Sequence, residues 1–326
     1  MIAGAWRPRS RVLVVSVLLL SGVTLVLACN ASFARELWQT LTVLPFSSVV
    51  IAQSLILAQL ACQTLRLWAL IPRRNSVSLG SVASAFNIGG WVNLLAPLRA
   101  GDALKAVLLS RADGGKRLDL TQATGVVLAD KVVDVGSMIF LSVVSGLGGL
   151  VSRRARASAA GFPTAVLGVG VILLAVLLLV RLARPAWLAR LAKVGREIWS
   201  GASALRDPVM GSASSVLSVG AWVAELLAVQ VLCNALGFSL PLPRILLALV
   251  LLNIGISVPI SVANVGPYEA ALAFGLRQSG VPLASGVVLA TVHHLLEVLA
   301  IGLVSAGLAA RANAARSKGV RPALRT

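Results

Sequence analysis

Polar residues are so sparse along this chain that its organisation is read from the gaps between them. Six apolar stretches, at 11–29, 45–70, 121–150, 163–180, 212–236 and 282–310, each hold about 18 or more residues, enough for a helix to cross roughly 30 Å of hydrocarbon. Two further stretches, 79–110 and 243–278, are as apolar but are broken by Gly, Pro and Asn. Neither reads as one helix. Each predicts two short helices, either a re-entrant hairpin or a pair of tilted short spans, and such broken backbone must be covered by protein or line a watery cavity. The pattern predicts an all-α polytopic integral membrane protein with about six full spans plus two broken hairpins.

The broken stretches resemble one another. Asn87-Ile88-Gly89 returns as Asn253-Ile254-Gly255, and the segment from Ala96 to Ala103 returns as that from Ala263 to Ala270. Val126-Val127-Leu128-Ala129 then returns as Val287-Val288-Leu289-Ala290. This alignment sets Asp102 opposite Glu269, and Asp134 opposite Glu297 with a two-residue offset. The chain thus divides, within a single membrane domain over 1–326, into a first span at 11–29, one repeat at 45–150 and a second at 212–310. Between the repeats lies 163–206, a connecting span followed from 184 by an amphipathic stretch carrying Arg190, Lys193 and Arg196; a basic tail at 311–326 follows the second. Three crossings separate the start of one repeat from the start of the next, an odd number, so the reading predicts inverted repeats.

Composition removes the soluble alternatives. At 58% hydrophobic, 12% charged and mean hydropathy +0.92, the chain is too apolar for a soluble globular domain. Its net charge of +18 would in a soluble protein suggest nucleic acid, but here the cations flank apolar runs, where they anchor cytoplasmic loops beside anionic lipid. The expected partners are therefore membrane lipids and not nucleic acid. Placing both termini in the cytoplasm gathers Arg73, Arg74, Arg111, Lys116, Arg117, the 181–206 cluster and the tail on that side of a cytoplasmic membrane; Arg153, Arg154 and Arg156 fall on the other. Arg7, Arg9 and Arg11 ahead of the first apolar run resemble a signal peptide superficially, but its length reads as an uncleaved span. Cys29, Cys62 and Cys233 each sit in an apolar run without metal-ligand spacing and read as small packing residues.

Charges inside the apolar stretches carry the candidate chemistry, because such groups are expensive in a bilayer and mark a bundle interior or a watery path. Asp130 and Asp134, four apart, share a helix face, with Lys131 placed to pair with Asp134. Pro97, Arg99, Gly101, Asp102 and Lys105 form a second group: a turn, then a helix start whose free N–H groups and neighbouring cations suit a phosphate. The plainer alternative makes Asp102 an N-terminal cap. Glu297 sits in the middle of the last span, and Arg66 and Glu225 also interrupt apolar runs. His293 and His294 are adjacent, about 100° apart on a helix, which disfavours a shared metal. No nucleophile elbow, Walker loop, dinucleotide fingerprint or zinc-protease helix is present in the sequence, so neither enzymatic activity, a metal nor a cofactor is expected.

These motifs resemble the lysylphosphatidylglycerol synthase transmembrane family, a flippase-like membrane domain. Its members carry Asn…Pro-x-Arg-x-Gly-Glu, then Glu-Arg-x-x-Asp, then Pro…Gly-x-x-Glu. The counterparts here are Asn93, Pro97, Arg99, Gly101 and Asp102; then Asp130, Lys131 and Asp134; then Pro259, Gly266 and Glu269. The resemblance runs from about residue 11 to 310. Asp102 stands for the usual Glu, Asp130-Lys131 for Glu-Arg, and Val262-Ala263-Asn264 for a common Pro-Gly-Gly turn. Lys131 lacks the planar fork of Arg, which bears on substrate preference. The resemblance implies a membrane domain that moves lipids such as aminoacylated phosphatidylglycerol, isoprenoid-linked or hopanoid lipids between leaflets. On this reading Arg99, Lys105 and Lys131 meet an anionic headgroup, and Asp102, Asp130, Asp134, Glu269 and Glu297 pair those cations, bind a cationic headgroup or carry protons. The rival readings are a membrane-embedded lipid-phosphate transferase and a non-transporting partner of lipid-biosynthetic enzymes. The family's soluble aminoacyl-transferring domain has no counterpart in these residues, so lysylphosphatidylglycerol synthesis is not inherited.

Overall fold

A computed structural model describes residues 35, 38–39, 42–73, 75, 77–95, 100–112, 118–145, 205–257 and 264–317. The spans expected at 11–29 and 163–180, most of the amphipathic stretch from 184, and Arg153, Arg154 and Arg156 lie outside these residues. The described residues form eight helices and no strand: α1 (Phe46–Ala69), α2 (Leu79–Leu95), α3 (Ala100–Ser110), α4 (Leu120–Val144), α5 (Pro208–Ala235), α6 (Leu242–Gly255), α7 (Pro267–Arg277) and α8 (Leu283–Ser317).

Local chemistry sets the helix starts. Asp119 caps α4 by accepting from the Gln122 N–H at 2.6 Å, and Asp207 caps α5 by accepting from the Val209 N–H at 2.9 Å, with Pro208 opening the helix. That cap and proline start α5 four residues ahead of the apolar run at 212. Gly266, at φ 93°, adopts a backbone shape that side chains oppose, and Pro267 then opens α7. The last helix runs past the apolar stretch that ends at 310. Residues 311–317, read as part of a basic tail, continue α8 as helix, because their Ala- and Arg-rich sequence favours it.

Among the described residues, three helices are long and apolar enough to cross a bilayer: α1, α5 and Leu283–Arg311 of α8. Helix α4, at 25 residues, has the length but carries Asp130, Lys131 and Asp134 in its middle. The broken stretches each resolve into two packed helices, α2 with α3 and α6 with α7. At 11 residues, α3 and α7 rise about 16 Å, half the hydrocarbon thickness.

Helices α1 and α5 run antiparallel along one another: Gln59 meets Glu225, while Arg66, further along α1, meets Ser218, earlier in α5. Helix α3 packs on α2 and α4, and α7 on α6 and α8; α4 lies against α5, and α8 against α1. Each of these contacts has its counterpart when α1–α4 are exchanged for α5–α8. Close backbone approach repeats as well. A Cβ on Gly89 would overlap Lys105 and approach the Gly101 carbonyl; a Cβ on Gly255 would come 2.5 Å from the Ala271 Cβ and 3.8 Å from the Pro267 carbonyl. Residues 89, 101 and 105 thus correspond to 255, 267 and 271, a step of 166 that also separates Gln59 from Glu225.

Polarity is inside out. Val132, Val135, Ile139 and Val143 of α4 and Leu295, Leu299 and Leu303 of α8 are exposed at helical spacing, while Arg66, Lys105, Asp130, Glu225, His293 and His294 are buried. Apolar stripes facing outward around a polar interior suit a lipid solvent.

The glycine contacts generate a stability prediction. Gly101→Ala places a methyl on the Gly89 carbonyl oxygen and the Asn93 side chain, and lowers stability by about 1–3 kcal/mol. Gly302→Ala meets nothing within 4 Å and leaves stability unchanged or raised. Thermal unfolding of the detergent-solubilised protein, followed by monodispersity, separates the two.

Candidate functional site

Helix α1 presents Gln59, Gln63 and Arg66 at i, i+4 and i+7, and α5 answers with Ser218, Trp222 and Glu225 at the same spacing. The Arg66 guanidinium, 2% exposed, donates from Nε to Asp130 Oδ1 at 2.7 Å, and from Nη1 to Asp134 Oδ1 at 2.6 Å and Ser218 Oγ at 2.8 Å. Ser218 Oγ donates in turn to the Val133 carbonyl at 3.4 Å, and Trp222 Nε1 donates to the Asp134 carbonyl at 3.3 Å. Asp130 and Asp134 do share a face, as their spacing required. The partner differs from expectation: Asp134 takes Arg66 from α1, and Lys131, turned about 100° from Asp130 on the helix, reaches Asp102 instead.

Asp102 gathers the second group. Its Oδ1 accepts from Lys105 Nζ at 3.0 Å and from Asn93 Nδ2 at 3.3 Å, while its Oδ2 lies 3.4 Å from Lys131 Nζ. Asn93 Oδ1 accepts from the Gly101 N–H at 2.8 Å, so the α2 side chain ties down the start of α3. This changes the phosphate expectation for that helix start. The Gly101 amide is already taken, and Asp102 already supplies a negative charge to the first turn. Nor does Asp102 act as the cap, since its oxygens face Lys105, Lys131 and Asn93. Lys105, only 5% exposed, lies against Phe86, with Nζ 4.4 Å from the ring centre. Lys131, with 42% of its side chain exposed, remains open. Pro97 and Arg99 lie outside the described residues.

The second half builds a different cluster at the corresponding place. Glu269 Oε2 accepts from the Gly266 N–H at 2.7 Å, and Oε1 lies 2.7 Å from His294 Nδ1. Tyr268 Oη lies 2.7 Å from His293 Nδ1, and its ring stacks on His294 at 4.1 Å. In the packing register set by the glycines, Asp102 corresponds to Tyr268, one residue before Glu269. Asp102 and Glu269 therefore face different surroundings, although each is the third residue of its helix. Pro259 lies outside the described residues.

A cavity of about 390 Å³ joins these groups. Asn93, Arg66, Lys105, Asp130, Lys131 and Asp134 line it from the first half, and Trp222, Asn253 and Glu297 from the second. A smaller cavity of about 140 Å³ holds Gln59, Glu225, Glu297, Tyr268 and Asp134. The structure thus brings Asn93, Asp102, Lys105, Asp130, Lys131 and Asp134 together, sets Glu297 across the cavity, and keeps Gly266 and Glu269 to the side at the start of α7. Reading the sequence missed Gln59, Gln63, Ser218, Trp222, Asn253 and Tyr268. The i, i+4, i+7 spacing of polar residues on α1 was the available signal.

Long apolar helices packed around a charged internal cavity define a polytopic helical membrane protein. The family model described as the lysylphosphatidylglycerol synthase TM region matches residues 13–305, and the chain belongs to that family. No curated protein and no solved structure matches it. Membership places it among membrane proteins of lipid metabolism or transport.

Removing one partner of a buried ion pair strands the other charge. Arg66→Met costs about 3–5 kcal/mol and reduces the folded yield, whereas Arg66→Met with Asp130→Asn recovers part of the loss by removing one stranded carboxylate. Thermal unfolding of the single and double variants checks the order.

Proposed function

We propose that the protein is a lipid flippase of the cytoplasmic membrane, with both termini in the cytoplasm, and that the cavity between its halves holds the headgroup during transit. The observation that carries the reading is the cavity itself, lined from both halves by charged side chains within a shell of outward apolar residues. A lipid headgroup crossing the hydrocarbon needs such a polar path, and its acyl chains need apolar surface beside it.

The antiparallel α1 and α5, together with the exchange of contacts between α1–α4 and α5–α8, support inverted repeats. Two such halves rocking about a fixed site give alternating access to the two leaflets. The cargo is a phospholipid. Its phosphate fits beside Lys131, the cation left open to the cavity, and an amino group on the same headgroup finds Glu297 on the opposite wall. Asp102 positions Lys131.

The test is translocation in proteoliposomes, reading protection of fluorescent phosphatidylglycerol and its aminoacylated form from a membrane-impermeant quencher. Lys131→Gln removes a charge-assisted contact and slows translocation about tenfold. Asp102→Asn and Glu269→Gln slow it as well. Unchanged rates in all three variants would refute the headgroup site.

A further inference from the structure

Glu225 is the only charged residue of α5, and its surroundings differ from those of the aspartates in the site. Asp102, Asp130 and Asp134 each pair with Lys or Arg. Among the described residues, no Lys or Arg lies within ion-pair distance of Glu225 or of Glu297, and the two share the smaller cavity. Their like charges act on one another. An ionised pair without a cation at this depth is strongly unfavourable, so the site calls for a neutralising ligand.

Gln59 supplies an independent sign of that ligand. It is 6% exposed and lines the same cavity. Its Nε2 donates to Glu225 Oε2 at 3.0 Å, and it lines the cavity together with Glu297. Its Oε1 is buried without a donor. A carboxyl O–H in the pair would supply the donor that this oxygen lacks. Position adds a third argument. Gln59 and Glu225 are counterparts under the 166-residue step, yet they touch each other. Counterparts in contact lie where the two halves cross, so a change of charge there acts on both halves at once.

We propose that Glu225, Glu297 and Gln59 form a proton-binding site at the crossing of the two halves, and that proton exchange there drives lipid movement. The second clause rests on the flippase reading; the first does not. A proton entering from one side forms an O–H bond on a Glu297 or Glu225 oxygen, and the hydrogen points at Gln59 Oε1. The bond breaks toward the other side, which restores the carboxylate. The other groups sharing a cavity with the pair or packed beside it are Arg66 from α1, Lys105 from α3, Asp130, Lys131 and Asp134 from α4, Tyr268 and Glu269 from α7, and His293 and His294 from α8; α6 contributes the uncharged Asn253. Lys105 and Lys131 are held by Asp102. Arg66 is engaged by Asp130 and Asp134, and His294 by Glu269, which leaves the pair to the proton.

Infrared spectroscopy of the full chain in lipid nanodiscs, titrated in sodium-free choline chloride, reads the site directly. The wild type is expected to show a protonated-carboxyl band at neutral pH that is lost in Glu225→Gln and in Glu297→Gln and shifted in Gln59→Leu. Glu297→Gln, at a partly exposed position, keeps the test available where Glu225→Gln does not fold. Absence of the band, or the same band in all variants, overturns the site. Loss of the band on adding sodium at fixed pH also overturns it, in favour of a metal cation.

Proteoliposomes carrying fluorescent phosphatidylglycerol and an imposed pH gradient read the coupling. Wild-type translocation is expected to fall severalfold when an ionophore collapses the gradient, and that dependence is expected to vanish in Glu225→Gln and in Gln59→Leu. Translocation indifferent to the gradient in the wild type overturns the coupling. No translocation under any gradient, with the infrared band as expected, overturns the flippase reading and leaves the proton site standing.

Discussion

The cavity depends on one buried guanidinium. Arg66 would be costly in hydrocarbon on its own, and it is tolerated because its planar fork reaches Asp130 and Asp134 together while a third bond goes to Ser218. Those partners sit on α4 and α5, so one side chain of α1 joins three helices at the depth of the cavity. A lysine is a single point charge and lacks the rigid fork that reaches both carboxylates. The arrangement has a consequence for chemistry as well as for packing. Because Arg66 satisfies Asp134, Lys131 is released from its helical neighbour, turns to Asp102, and stays open to the cavity.

Asp102 reaches Lys131 only because α3 lies close against α2. Gly89 and Gly101 allow the backbones to approach, and Asn93 then spans the gap to bond both the Gly101 N–H and the Asp102 carboxylate. A stretch that cannot form one helix therefore serves a purpose. Its break shortens α3 to half the membrane thickness and brings a carboxylate from the helix start to the polar interior. The same break recurs between α6 and α7, where Gly266 and Pro267 turn the chain and Glu269 returns to the Gly266 N–H.

The elements were legible and the partnerships were not. The apolar run at 45–70 became a helix at Phe46–Ala69, and both Gly- and Pro-broken stretches became helix pairs, because hydrophobic length and backbone breakers act locally. Spacing also put Asp130 and Asp134 on one face. It did not find Arg66, which lies 64 and 68 residues away from them, because a contact of that range follows from packing. The pairing of Lys131 with Asp134 failed for the same reason: a helical neighbour was within reach, but a cation from another helix held it. Gln59 passed unnoticed, and Asn253 counted only as part of the repeat, because an uncharged amide hardly interrupts an apolar run, although burial makes its hydrogen bonds consequential. The sequence alignment set Asp102 opposite Glu269, whereas the glycine contacts pair position 102 with Tyr268, one residue earlier.

The two halves share a frame but not a chemistry. Under the 166-residue step, Arg66 corresponds to Leu232, Lys105 to Ala271, and Gln59 to Glu225. The first half brings the cations together with the aspartates that pair with them, and the second brings glutamates, histidines and a tyrosine. A cavity between identical halves would present the same charge on both walls and suit a symmetric ligand. Here the walls differ, which suits a headgroup with charge of both signs. On the flippase reading, the shared frame gives two arrangements of similar energy, and the unlike side chains hold the same headgroup in both. The bias between those arrangements must then come from a charge that changes during the cycle, and the cation-free pair Glu225 and Glu297, bridged by Gln59 at the crossing of the halves, is where such a change acts on both.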